Sequence, residues 1–76
     1  MELQQFIENF AGQFDETAPE MCTAETAFRD LEEWNSFLAL AIMAMVKSEY
    51  DVNLTADEMR NANTVQELFD TVNSHL

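Results

Sequence analysis

Basic residues are scarce: three Lys plus Arg stand against 15 Asp plus Glu, a formal net charge of −12 over 76 residues. That balance repels phosphate backbones and anionic lipid, and so excludes nucleic acid and acidic membranes as direct partners. Cys22 is the single cysteine, which rules out an internal disulfide and a thiolate metal cluster within one chain and favours a reducing, cytoplasmic setting. The single histidine, His75, is next to the last residue; it is expected to be solvated there and offers no base to a Ser or Cys nucleophile, so an enzyme is not expected. No long hydrophobic run exists. The longest, Phe37 to Val46, is about half of what a bilayer crossing needs. Met1-Glu2-Leu3 has neither the basic start nor the apolar stretch of a signal peptide, so export is not expected and the sequon Asn53-Leu54-Thr55 carries no meaning. An EF-hand counted from Asp51 fails, because Ala56 and Ala62 occupy the places that need Gly and Glu.

What remains is apolar enough to fold. Hydrophobic residues make up 47% and aromatics 11%, far from a disordered acidic tail, and a single Gly and a single Pro leave few breaks. A chain this short hides only about 60% of the surface its unfolded form exposes, so one small domain over 1–76 with an efficiently packed core is expected. No stretch shows the alternation of a strand, which makes the fold class all-α.

The periodicity predicts where the helices lie. Leu3, Phe6, Ile7, Phe10 and Phe14 recur at helical spacing, with Gln4, Gln5, Glu8, Asn9 and Gln13 on the opposite side, and Gly12 either permits a close helix approach or marks the helix end. From Asp15 to Trp34 the periodicity vanishes, predicting a long connection that Met21, Phe28, Leu31 and Trp34 pin to the core. Asn35 is a good N-cap type, so a second helix is predicted from Ser36 to about Tyr50, followed by a turn at Asp51-Val52-Asn53. Thr55 to Glu58 and Thr64 to Glu67 both have capping-box form, predicting a short third helix to about Asn61 and a fourth carrying Val65, Leu68, Phe69, Val72 and Leu76 on one stripe. The expectation is a small four-helix bundle of three longer helices and one short one.

The second helix is apolar nearly all round. At about 100° per residue, Ala39, Ile42, Met43, Val46 and Tyr50 form a core stripe, while Phe37, Ala41, Ala44 and Ser48 point away, with Leu40 on one flank and Leu38 and Met45 on the other. A domain of this size cannot bury every side, so the outward face is expected to meet a partner unless the long loop folds over it. Ser36 falls at the first helical position, where the positive end of the helix dipole favours a phosphate. Cys22, in the loop, is expected to be an inert or mildly reactive thiol.

The order of these features resembles the acyl carrier protein family over nearly the whole chain, best from Phe28 to Val72. The shared elements are a first helix, a long loop, a Ser opening the second helix after Phe28 and Leu31, Glu49-Tyr50-Asp51 at its end, a short third helix, and Asn63-Thr64-Val65-Gln66-Glu67-Leu68-Phe69 opening the last. In that family a serine in an Asp-Ser-Leu motif receives a 4′-phosphopantetheine arm from coenzyme A, and by position Ser36 corresponds to it. The resemblance implies a non-enzymatic, monomeric carrier of acyl or aminoacyl thioesters, whose partners are a phosphopantetheinyl transferase and the enzymes that load and receive cargo. Asn35, Phe37, Leu40, Ala41 and Ala44 are then the expected contact residues. Two departures stand out: the motif reads Asn35-Ser36-Phe37, and the second helix is uncharged until Lys47 and Glu49. They leave room for an alternative, an unmodified acidic adaptor of the same fold that docks through the apolar second helix.

Overall fold

The computed structural model describes residues 2–76, which form four α-helices: α1 (Leu3–Ala11), α2 (Ser36–Tyr50), α3 (Ala56–Asn61) and α4 (Val65–Asn73). No strand occurs among the described residues, as the missing alternation implied. α1 packs against α2 and α4, and α3 against α4. The radius of gyration, 11.0 Å, matches the roughly 11 Å of a native-density globule of this length.

Three of the four helices begin with a side-chain cap. Asn35 Oδ1 accepts the Leu38 N–H at 2.9 Å, and Thr55 and Thr64 accept the N–H groups of Glu58 and Glu67, each satisfying one of the donors a helix start leaves without a partner. The Thr55–Glu58 pair is reciprocal, a complete capping box. The second pair is not: the Glu67 carboxylate takes the Asn63 N–H at 2.7 Å, one residue before the cap. The long loop completes that helix start instead, with the carbonyls of Ala24 and Thr26 accepting from Gln66 and Val65. At the other end of α1, Gly12 is the C-cap with φ −63°, so it marks a helix end and no special backbone conformation requires it.

The 15–34 connection holds two 3₁₀ turns, Pro19–Met21 and Phe28–Asp30. Its anchor is a closed set of four aromatic rings. Phe10 of α1 lies 5.4 Å from Phe14, which was expected on the helical stripe but sits, buried, three residues beyond the end of α1; Phe28 sits 5.5 Å from Phe10 and 4.8 Å from Trp34, and Trp34 returns to Phe14 at 6.2 Å. Phe28 and Trp34 therefore pin the loop as expected, and Leu31 packs half-buried against the core. Met21 does not: it is 60% exposed, and its neighbour Cys22 turns inward. A one-residue offset inside irregular chain leaves no periodic signal to read. Burial, reinforced by the charge of Glu33, raises the Cys22 thiol above its ordinary pKa and keeps it protonated and unreactive.

The core face of α2 differs from the expected stripe. Leu38, Ile42, Met45 and Val46 are buried, whereas Ala39, Met43 and Tyr50 are half-buried, a rotation of about 70° at roughly 100° per residue. An all-round apolar helix has no periodic preference, and turning this way buries Leu38 and Met45 in place of the smaller Ala39. Tyr50 finds a polar partner at the edge, its hydroxyl accepting from Asn9 Nδ2 at 3.0 Å, which draws Asn9 off the solvent side of α1. On α4, Leu76 lies beyond the helix and is 65% exposed, so the last stripe is Val65, Leu68 and Val72 with Phe69 half-buried. His75 is not simply solvated: its Nε2 meets Glu58 Oε2 at 2.7 Å, joining the chain end to the first turn of α3. The final turn continues the end of α4, and the His75 side chain alone reaches α3, a contact between segments 17 residues apart.

Candidate functional site

The site is built at the start of α2. Asn35 has extended backbone and caps the helix, which places Ser36 at its first helical position with the side chain exposed. Beside it opens a groove of about 550 Å³ lined by Arg29, Trp34, Asn35, Ser36, Ala39, Leu40, Met43, Ala56, Met59 and Arg60. The rotation of α2 produces this groove: Ala39 and Met43, turned away from the core centre, form its floor, and the opposite wall is α3. An apolar trough with one exposed hydroxyl at its lip suits a group attached to that oxygen and lying along hydrocarbon.

Arg29 holds the far wall in place. Its Nη1 donates to the Met59 carbonyl at 2.8 Å, and its Nη2 donates to the Arg60 carbonyl at 2.7 Å, to Asn63 Oδ1 at 2.9 Å and to the Ala62 carbonyl. A guanidinium thus satisfies the carbonyl end of a six-residue helix that has too few turns to stand alone. The guanidinium also lies over Phe28, its carbon 5.4 Å from the ring centroid. Neither Arg29 nor Arg60 is singled out by the sequence motifs. The available signal was their rarity, since two of only three Lys plus Arg line one groove.

Glu33, just before Trp34, ties the two ends of the long loop together. Its carboxylate accepts the backbone N–H groups of Asp15, Glu16 and Thr17 at 2.8 to 3.0 Å and the Thr17 hydroxyl at 2.9 Å. Partial burial alone would raise its pKa, but the four donors outweigh it and hold the carboxyl below its ordinary 4.5. A group depressed on folding adds stability above the unfolded value, and that stability is lost as pH falls through the folded value. Glu33→Gln is therefore expected to destabilise at neutral pH, with its difference from wild type shrinking as the pH falls below 4.5. Urea midpoints at neutral and at lower pH check this; a difference independent of pH would remove the charge from the argument.

The expected contact residues fall on the open side of α2. Phe37 is 76% and Leu40 63% exposed, Ala44 is exposed, and Ala41 is half-buried. The long loop leaves this face uncovered, because its aromatic anchors engage α1 and its Arg29 engages α3. Asn35 belongs first to the cap. No group of metal-ligating side chains forms among the described residues, and no helix is long and apolar enough to cross a membrane. Comparison of the chain with protein-family models, curated proteins and solved structures gives no match.

Proposed function

We propose that this chain is a carrier of the acyl carrier protein type, with Ser36 as the attachment point of a 4′-phosphopantetheine arm. The observation that carries the reading is the exposed Ser36 hydroxyl at the first turn of α2, on the lip of an apolar groove of about 550 Å³. Once attached, the arm supplies the thiol on which acyl or aminoacyl groups travel as thioesters. In the loading step the serine oxygen displaces the nucleotide half of coenzyme A at phosphorus, and its proton passes to a base of the magnesium-dependent transferase. The chain contributes no base of its own; its role is to present the oxygen where the helix dipole favours incoming phosphate. Trp34, Leu40, Met43 and Met59 offer apolar cargo a surface away from water.

Phe37, Leu40, Ala41 and Ala44 form the contact patch for the transferase and for loading and receiving enzymes, and the net charge of −12 speeds encounter with basic partner surfaces. A soluble monomer working in the cytoplasm without nucleic acid or membrane fits that charge. Asn35 in the motif supports a second reading, an unmodified adaptor that docks through the same patch. Incubation with coenzyme A, magnesium and a broad-specificity transferase, followed by intact-mass measurement, distinguishes the two. The expected result is one added phosphopantetheine on wild type and none on Ser36→Ala. If wild type stays unmodified while Asn35→Asp is labelled, the adaptor reading replaces the carrier.

A further inference from the structure

Positive charge is concentrated beside Ser36. Of the three Lys plus Arg in a chain of net charge −12, Arg29 and Arg60 line the groove that begins at Ser36, and only Lys47 lies elsewhere, paired with Asp51 near the end of α2. Arg29 is committed to the end of α3, yet none of its four acceptors carries a charge: three are backbone carbonyls and the fourth is the Asn63 side-chain amide oxygen. Arg60 is bound less firmly. Its one charged partner is Asp57, a turn away on α3, and both side chains are more than two-thirds exposed, a pairing that contributes little and exchanges readily.

An anion fixed at Ser36 would be held on a chain that carries 15 Asp plus Glu. The α2 dipole favours it only within the first turn; without a positive side chain in reach, the net charge would repel it from the rest of the surface and leave the arm to swing in solvent. We propose that Arg60, backed by the field of Arg29, binds the phosphodiester of an arm attached to Ser36 and so lays that arm along the groove toward α3. This inference rests on the carrier reading and adds to it a specific docked state. The guanidinium fork suits two phosphate oxygens, and its long stem lets it leave Asp57 for a stronger acceptor. Lys47 lies eleven residues along α2 from Ser36, about 16 Å at 1.5 Å per residue, beyond contact range.

The test uses the loaded protein, with loading read by intact mass and the phosphate read by phosphorus NMR. In wild type the phosphodiester resonance is expected to shift between low salt and about 1 M salt, where screening acts within about 3 Å. In Arg60→Gln the low-salt resonance is expected to lie already at the high-salt position, whereas Lys47→Gln behaves as wild type. Circular dichroism of each variant confirms that α3 is intact. Coincident resonances for loaded wild type and loaded Arg60→Gln at low salt would overturn the docked phosphate and leave the carrier reading untouched. Failure of wild type to load overturns both.

Discussion

Phe28→Ala is expected to lower stability by about 3–5 kcal/mol, the range for removing a fully buried phenyl ring from a core that only partly collapses. A domain of this length has on the order of 4–11 kcal/mol in total, so the variant stands at or near the edge of unfolding. The ring has no exposed surface and belongs to the closed aromatic set with Phe10, Phe14 and Trp34. It also serves two structures at once, holding the loop to α1 and carrying the guanidinium of Arg29 over its face. Its loss therefore leaves a cavity and loosens the group that ends α3. Urea denaturation followed by far-ultraviolet circular dichroism measures the total cost, and Trp34 fluorescence reports the loop separately. A cost below about 1 kcal/mol would mean that the loop docks without Phe28 and that the aromatic set is not a unit of the core.

How far the molecule can be read without coordinates depends on whether a residue acts locally. Asn35, Thr55 and Thr64 cap helices through bonds to residues three places on, so the starts of α2, α3 and α4 follow from neighbours in the chain. The stripe of α1 was legible for the same reason, since polar residues interrupt it at regular spacing. α2 was not legible in this sense. Its span was clear, but apolar residues on every side left its rotation to tertiary packing, and the exchange of Ala39 and Met43 for Leu38 and Met45 in the core decides where the groove opens. The position of Ser36 beside that groove was thus half readable: the helix start follows from Asn35, while the groove follows from a rotation that no periodicity encodes. Arg29, Glu33 and His75 act across 16 to 34 residues of chain, and a long-range hydrogen bond from an isolated polar residue leaves no pattern. Each of the three secures an element that could not hold itself, either irregular loop or a helix of six residues.

Arg29 is the strongest of these. Arg29→Met keeps an unbranched side chain and removes the guanidinium, and it is expected to cost about 2–4 kcal/mol. Each hydrogen bond from a charged donor is worth about 1.5–3 kcal/mol, but four acceptors share two nitrogens and the exposed ones regain water, so the sum falls well short of four full bonds. The interaction of a cation with the negative end of a helix adds about 0.3–1 kcal/mol. Arg60→Met supplies the contrast on the same helix: its pair with Asp57 is exposed, and its loss is expected to cost at most about 0.5 kcal/mol. Arg29→Lys restores the charge without the fork, so it is expected to recover less than half of the loss. Hydrogen exchange localises the effect, because the Ala62 N–H donates to the Glu58 carbonyl at 3.2 Å in the last turn of α3 and should lose protection in Arg29→Met before the amides of α1 and α4 do. Equal cost and equal exchange for Arg29→Met and Arg60→Met would mean that α3 is held by packing of Met59 and Ala62 alone. A larger cost for Arg29→Met, concentrated in α3, would make the wall of the groove dependent on a residue that sits in the loop before α2, so that the shape of the site beside Ser36 is set from outside both helices that line it.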